Sequence, residues 1–322
     1  MQSVELFSPL ISVVICTYNR SDTFVDALKT ICNQTLDTSF YEIIIVDNNS
    51  SDNTAHVAKD FCERFSTVSY CMESKQGLSH ARNRGWQEAK GEYVAYIDDD
   101  CKIPEQFLAV AKSIIERISP VVFGGPGLAF YNSPKPYWYK DSYGSHMPFK
   151  EARILKEIEI TKIYGMNMFF RRSALQASGG FDPKLGMIGD KLAYYEETAV
   201  LLHIAKTMPE EIFYYDPALY VYHLVQEERM SFRWFVKASI SLGRHSVLCN
   251  GSDMPPGTGR LVLLKHIISQ SLLLLKHFVR SFLFRNRTVY IYYQNYIYER
   301  SFNHLRKIGE LYEHFVQLQT FS

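Results

Sequence analysis

The first hundred residues alternate between two hydrophobic patterns. Ile11-Ser12-Val13-Val14-Ile15-Cys16 is a β-rich apolar run, after which Phe24, Val25, Leu28, Ile31 and Cys32 recur at helical spacing behind Ser21, a plausible N-cap. Glu42 to Asp47 predicts a second buried strand, about Asp52 to Phe65 a second helix, Val68 to Met72 a third strand and Leu78 to Ala89 a third helix. A fourth strand, Glu92 to Ile97, ends at Asp98. This βαβαβαβ order predicts an α/β fold with a mostly parallel sheet flanked by helices. Further on, Ser119 to Tyr143 reads as irregular, Glu151 to Ile163 as a candidate strand and Phe213 to His223 as a last strand-loop unit. From about Glu227 the chain reads as helical and aromatic, so the expected domains are 8–225 and a helical extension, 226–322.

Continuous apolar strands imply that helices cover both sheet faces. Ligands of such sheets bind beyond the C-terminal strand ends. The residues there are Thr17-Tyr18-Asn19-Arg20, Asp47-Asn48-Asn49-Ser50 and Asp98-Asp99-Asp100. Three polar segments after three apolar strands are the best functional clue in the sequence.

Charge sharpens this picture. The 322 residues carry 35 Lys+Arg against 34 Asp+Glu, a net +1, where a general nucleic-acid binder would be more basic. The six cysteines form no CxxC pair and fit a reducing, cytoplasmic compartment better than a disulfide framework or a zinc site. The N-terminus has no basic n-region and no small-residue cleavage site, so no signal peptide is expected. From Arg260 to the C-terminus nine Lys/Arg face three acids, a balance of +6 that leaves about −5 for the rest. Lys265, His266, Lys276, His277 and Arg280 interrupt the apolar run Leu261 to Phe284, which argues against a spanning helix. Lys265, Ser269, Lys276 and Arg280 fall within about 60° on a helical wheel with apolar residues around them. That pattern suits either an interfacial helix on an anionic membrane or a helix packed against the rest of the protein.

Three consecutive carboxylates repel one another unless neutralised, and a divalent cation is the natural remedy. Asp98-Asp99-Asp100 therefore reads as a site for Mg²⁺ or Mn²⁺ and a diphosphate, against the alternative of a solvated acidic loop. Asp47 and Asn48 can read a pyrimidine edge or a ribose hydroxyl, or simply form a turn. Gly77, Arg82, Asn83 and Arg84 open a helix, a position suited to a pyrophosphate, though arginines there also make surface salt bridges. No GxxxxGK[ST] loop, no GxGxxG after the first strand, no GxSxG and no HExxH occurs.

These motifs together resemble family 2 glycosyltransferases of the GT-A fold. The matching segments are VVICTYNR (Val13 to Arg20), IIIVDNNSSDNT (Ile43 to Thr54), GLSHARNRG (Gly77 to Gly85) and GEYVAYIDDD (Gly91 to Asp100), then GMNMFFRRSAL (Gly165 to Leu175), GGFDPKLG (Gly179 to Gly186) and YEET (Tyr195 to Thr198). The resemblance covers about Leu10 to His223. It implies that Thr17 and Tyr18 help hold the nucleotide, that Asp47 or Asn48 contacts the base, and that Asp98 to Asp100 bind ribose and metal, with Asp100 the leading metal ligand. The family's acidic pair after GGFD usually reads Glu-Asp, its second member being the base. Here it reads Glu196-Glu197, so Glu197 is the expected base, Glu196 the alternate and Asp190 a weaker candidate. A histidine near His223 sometimes joins the metal or diphosphate in relatives, against a purely structural role. Tyr137-Trp138-Tyr139 could line an acceptor groove or pack a core, and Gly165, Asn167 and Met168 fall on the family's acceptor side. One base opposite a metal-held leaving group suits a single, inverting displacement. The expected donor is a nucleotide-sugar, UDP-linked by family habit, and the acceptor a saccharide or lipid-linked intermediate of cell-surface polysaccharide. A nucleotidyltransferase and an inactive sugar-nucleotide-binding scaffold are the rivals.

Overall fold

The computed structural model describes residues 8–189, 191–251 and 258–320. The expectations for the N-terminal residues 1–7 and for Asp190 lie outside the described residues. In chain order the strands are β1 (Ile11–Thr17), β2 (Tyr41–Asp47), β3 (Val68–Met72), β4 (Tyr93–Ile97), β5 (Cys101–Lys102), β6 (Val122–Gly124), β7 (Gly127–Phe130), β8 (Arg153–Ile154), β9 (Asn167–Arg171), β10 (Phe213–Tyr215) and β11 (Val221–Leu224). The helices are α1 (Ser21–Cys32), α2 (Thr54–Arg64), α3 (Leu78–Glu88), α4 (Phe107–Ile118), α5 (Asp141–Gly144), α6 (Arg172–Ser178), α7 (Glu196–Thr207), α8 (Phe232–Asn250), α9 (Arg260–Leu283) and α10 (Tyr293–Thr320). The chain divides into two compact units. One comprises Met1–Phe130, Gly144–Lys184 and Glu196–Leu224, the other Tyr131–Tyr143, Leu185–Tyr195 and Val225–Ser322.

The first unit is built on an eight-stranded sheet of order β3-β2-β1-β4-β9-β6-β10-β8. It is parallel from β3 to β4, and β9 then runs antiparallel to both its neighbours, β4 and β6. The strands are apolar on both faces because helices cover both. Val13, Ile15, Ile43 and Ile45 face Phe24, Leu28, Phe107 and Leu108, while Val14, Ile44 and Val46 face Ala81, Leu175 and Leu201. The α3 helix lies so close to β1 that a Cβ on Gly85 would fall 2.2 Å from Val14 Cγ1. A three-stranded sheet of order β5-β11-β7 pairs His223 with Cys101, directly after the Asp98-Asp99-Asp100 segment. The Leu224 N–H also donates to the Asp100 carbonyl at 3.0 Å, so this small sheet is what brings His223 to the aspartates.

The second unit is helical. α8 and α10 cross with their backbones nearly touching: a Cβ on Gly243 would meet the Arg306 carbonyl, and one on Gly309 the Ile240 carbonyl. Trp138 stacks on Phe232 at 4.9 Å, and Tyr298 stacks on both Tyr143 and Phe235 at 4.1 Å. Asn295 Nδ2 donates to the Trp138 carbonyl and to the Tyr143 hydroxyl, tying this aromatic cluster to α10.

Four expectations need correction. Ser21 is the first helical residue of α1 and not its N-cap, because its N–H donates to Asp52 Oδ2 at 3.1 Å; the loop before α2 supplies the cap. Glu151 to Ile163 forms only the two-residue β8 and a 3₁₀ turn at Glu157–Lys162. Ser119 to Tyr143 is not wholly irregular, since it holds β6 and β7, strands too short for periodicity to reveal. Phe213 to His223 splits into β10 and β11, which join different sheets.

Candidate active site

Three loops at the C-terminal ends of β1, β2 and β4 converge in the first unit, as the polar strand ends predict. After β4 the chain carries Asp98, Asp99 and Asp100, of which Asp99 and Asp100 are buried. The ligand atoms of Asp98, Asp100 and His223 all lie within 4.8 Å of one another. His223 Nε2 stands 3.3 Å from Asp100 Oδ1, and Arg20 Nη1 donates to Asp100 Oδ2 at 3.4 Å. Two carboxylate oxygens with one imidazole nitrogen make a donor set that fits Mn²⁺, while Mg²⁺ favours oxygen alone. Burial first, and then the Asp100 charge, push the Asp99 carboxyl up to about 7, against the pull of Arg20.

Arg82, on the first turns of α3, ties this cluster to a second one. Its Nη1 donates to Glu196 Oε1 at 2.6 Å, its Nη2 lies 3.6 Å from Asp98 Oδ1, and Nη2 also donates to the Gly165 carbonyl at 3.4 Å. The Tyr96 hydroxyl on β4 donates to the Arg82 carbonyl at 2.9 Å. Arg82 is 2% exposed, and burial opposes its charge, but Glu196 and Asp98 more than restore it, so its pKa is raised. Removing one member of a buried pair strands the other's charge, at a cost of about 3–5 kcal/mol.

Glu196 and Glu197 open α7, where a helix N-terminus favours carboxylates. They are not equivalent. Glu196 is paired with Arg82, whereas Glu197 Oε2 is buried with no hydrogen-bond partner among the described residues. Burial, then the neighbouring Glu196 charge, push the Glu197 carboxyl up to about 8, with Arg82 offsetting part of the rise. Five carboxylates therefore face two guanidiniums and one imidazole. That excess of negative charge is what a divalent cation would relieve, and a buried carboxylate of raised pKa with one oxygen left unbonded among the described residues is suited, once ionised, to accept a proton.

The remaining predicted residues fall into two groups. Asp47, 1% exposed at the end of β2, accepts from the Ser50 N–H at 2.9 Å and from the Tyr70 hydroxyl at 3.0 Å, leaving lone pairs for a further donor. Thr17 ends β1 buried, with Tyr18 half-buried beside it. In contrast, the Asn48 amide is committed to its own loop: Nδ2 donates to the Glu73 and Lys75 carbonyls, and Oδ1 accepts from the Gly77 N–H at 2.7 Å. Gly77 itself sits at φ 141°, in a region that favours glycine. Asn83 likewise clamps the chain at Phe181, donating to its carbonyl at 2.7 Å and accepting from its N–H at 2.8 Å. Arg84 makes a surface salt bridge to Glu88.

The acceptor-side expectations are also redrawn. Asn167 and Met168 are 0% exposed on β9, with Asn167 Nδ2 bonded to the Leu219 carbonyl, so both belong to the core. Trp138 packs within the aromatic core of the second unit, while Tyr137 beside it is exposed. Sequence reasoning missed Tyr164, whose hydroxyl is pushed up by burial and then by Glu197, and whose ring lies 4.7 Å from that of His146, tilted by 40°. Its position just before Gly165 was the available signal.

Glycosyl transferase family 2 is the family that the sequence matches, over residues 12–179. The chain is similar to a glucosyl-dolichyl phosphate glucuronosyltransferase of Haloferax volcanii, with 28% identity over 247 residues that span 72% of this chain and 75% of the relative. It also superposes on the mannosyltransferase PcManGT of Pyrobaculum calidifontis, solved with GDP-Man and Mn²⁺, with a TM-score of 0.62 at 16% identity over 95% of this chain and 88% of that one. TarS 1–349 of S. aureus with UDP-GlcNAc superposes with a TM-score of 0.55 at 17% identity, over 94% and 91%. At such identities the structural likeness establishes the fold: a mixed α/β sheet of the GT-A type with a C-terminal helical region.

Proposed function

The chain belongs to glycosyl transferase family 2 and is a glycosyltransferase; on that premise we propose that it inverts the anomeric centre of a nucleotide-diphosphate sugar, UDP-linked first, and passes the sugar to a saccharide or lipid-linked acceptor in cell-surface polysaccharide synthesis, at the cytoplasmic face of a membrane. The observation that carries the proposal is Arg82, which bonds Glu196 at 2.6 Å and stands 3.6 Å from Asp98. It joins a metal-type donor set to a carboxylate pair, the two halves that a single displacement requires. The H. volcanii relative, whose name describes a glycolipid acceptor, supports the lipid-linked reading of the acceptor.

Asp98, Asp100 and His223 would hold the ion, which when bound supplies positive charge to the diphosphate. Asp47, Thr17 and Tyr18 receive the nucleoside at the strand ends. Arg20 holds Asp100 in place. Glu197, ionised, takes the proton of the acceptor hydroxyl as that oxygen bonds to the sugar C1 and the C1–O bond to the diphosphate breaks. Glu196, fixed by Arg82, keeps Glu197 from pairing with that arginine.

Calorimetric titration of UDP, GDP and dTDP, each with and without Mn²⁺, tests the proposal on the parent protein and on Asp100→Ala. We expect Mn²⁺-dependent binding of UDP that the variant loses. Nucleotide binding without turnover on any acceptor supports the scaffold reading instead, and binding of no nucleotide under any condition overturns the proposal.

A further inference from the structure

The α9 helix presents an apolar stripe that nothing among the described residues covers. Leu261, Leu264, Ile268, Leu272, Leu275 and Val279 are all exposed, from 43% to 75%, and fall within about 80° on one side of the helix. Phe284 extends the stripe past the helix end and is 71% exposed. A shallow groove of about 650 Å³ runs along it, lined by apolar side chains with Lys276 and Arg280 at its rim. The opposite face of α9 is the one that packs: Leu263 and Ser281 are buried, and Gln270 Oε1 meets His304 Nδ1 of α10 at 2.7 Å.

Charge identifies what the stripe meets. The 24 residues of α9 contain no Asp or Glu. Lys265, Lys276 and Arg280 line one flank of the stripe, and none of them forms an ion pair among the described residues. A second copy docking through this face would set cations against cations. An acidic lipid surface would accept the cations at headgroup level while the leucines enter the acyl boundary.

Length and composition alone would also let α9 cross a bilayer, since its best window has mean hydropathy 1.3 and is 6% buried. The charges read from sequence argued against spanning, and the packing adds a stronger reason. α9 is fixed along its length to α10, which carries Glu299, Arg300, Arg306, Lys307, Glu310 and Glu313. A helix bound to so polar a neighbour cannot be surrounded by acyl chains.

We propose that α9 is an interfacial anchor that lies in the plane of an anionic phospholipid surface, its leucine stripe inserted and its Lys265–Lys276–Arg280 flank on the headgroups. The inference stands on α9 alone and not on the assignment of the reaction. The test is flotation of the full-length protein with phosphatidylcholine vesicles and with vesicles of phosphatidylcholine and phosphatidylglycerol at about 7:3. We expect binding at least about tenfold tighter to the anionic vesicles, weakened by salt and released by alkaline carbonate. Lys276→Glu/Arg280→Glu should lose most of the preference for anionic vesicles, and Leu272→Ser/Leu275→Ser most of the binding to either. Nucleotide binding by each variant reports that it has folded. Three results would overturn the proposal: equal binding to neutral and anionic vesicles, resistance to carbonate (a spanning helix), or no vesicle binding by a protein whose dimer the leucine variants abolish.

Discussion

The acidic strand ends of the first unit and the α9 face of the second invert the usual placement of charge. Around Asp100, Glu196 and Arg82 polar and charged groups are withdrawn from water, and Arg82, Asp98, Glu196, Asp100 and His223 hold one another in place. Along α9 leucines stand in water beside Lys265, Lys276 and Arg280. Neither arrangement is the cheapest way to fold a chain, since buried charges are costly to desolvate and exposed apolar stripes invite association. On the two proposals above, each answers to something outside the polypeptide: a cation and a diphosphate in one case, a lipid surface in the other. The contrast predicts that substitutions in the first region change chemistry steeply, while those in the second leave chemistry alone.

Glu197→Gln gives the largest effect. Turnover should fall by about 10²-fold or more while nucleotide affinity stays within about twofold, measured by product formation and calorimetry. Its pH dependence is signed. The Glu197 carboxyl titrates near about 8 in the folded protein and near 4.5 when free, so it stays protonated in the fold where the unfolded chain has ionised. Its stabilising contribution is full below the free value and is lost as pH rises through about 8. The parent's turnover should accordingly climb toward about pH 8, and the Gln variant should gain in melting temperature over the parent between about pH 5 and about pH 9. A flat difference in melting temperature would break the assignment.

Gly165→Ala is next. Its Cβ would stand 2.7 Å from Arg82 Nη2, so the guanidinium must leave either Glu196 or the Gly165 carbonyl. A loss of about 1–3 kcal/mol in urea unfolding and about tenfold in turnover should follow. The smallest effect sharpens the comparison from the other side: Lys276→Glu/Arg280→Glu should keep turnover on a soluble acceptor within about twofold and shift stability by about 0.5 kcal/mol or less.

The parallel half of the sheet was legible because β1 to β4 are continuous apolar runs separated by helical periodicity. β5 and β7 were not, since strands of two and four residues carry no period and exist only through pairing with distant segments, and β11 was read within the Phe213 to His223 unit without its separation from β10 into the small sheet. The strand ends announced the site, yet the sequence did not separate Asp47 from Asn48. Adjacent Asx residues look alike until one amide is seen bonded to the loop at Gly77 and the other side chain to Tyr70. Nor did it join Arg82 to Glu196, partners 114 residues apart. The asymmetry between Glu196 and Glu197 follows wholly from that contact.

The antiparallel insertion of β9 also has a consequence for how the chain is made. During synthesis β1 to β4 emerge first, but the strand that covers the outer edge of β4 begins only at Asn167. Until everything between Ile97 and Asn167 has left the ribosome, an apolar strand edge stands open with its backbone groups unpaired. A chain truncated before β9 should therefore be prone to stick to its own copies, and any pause in translation within that stretch prolongs the same exposure.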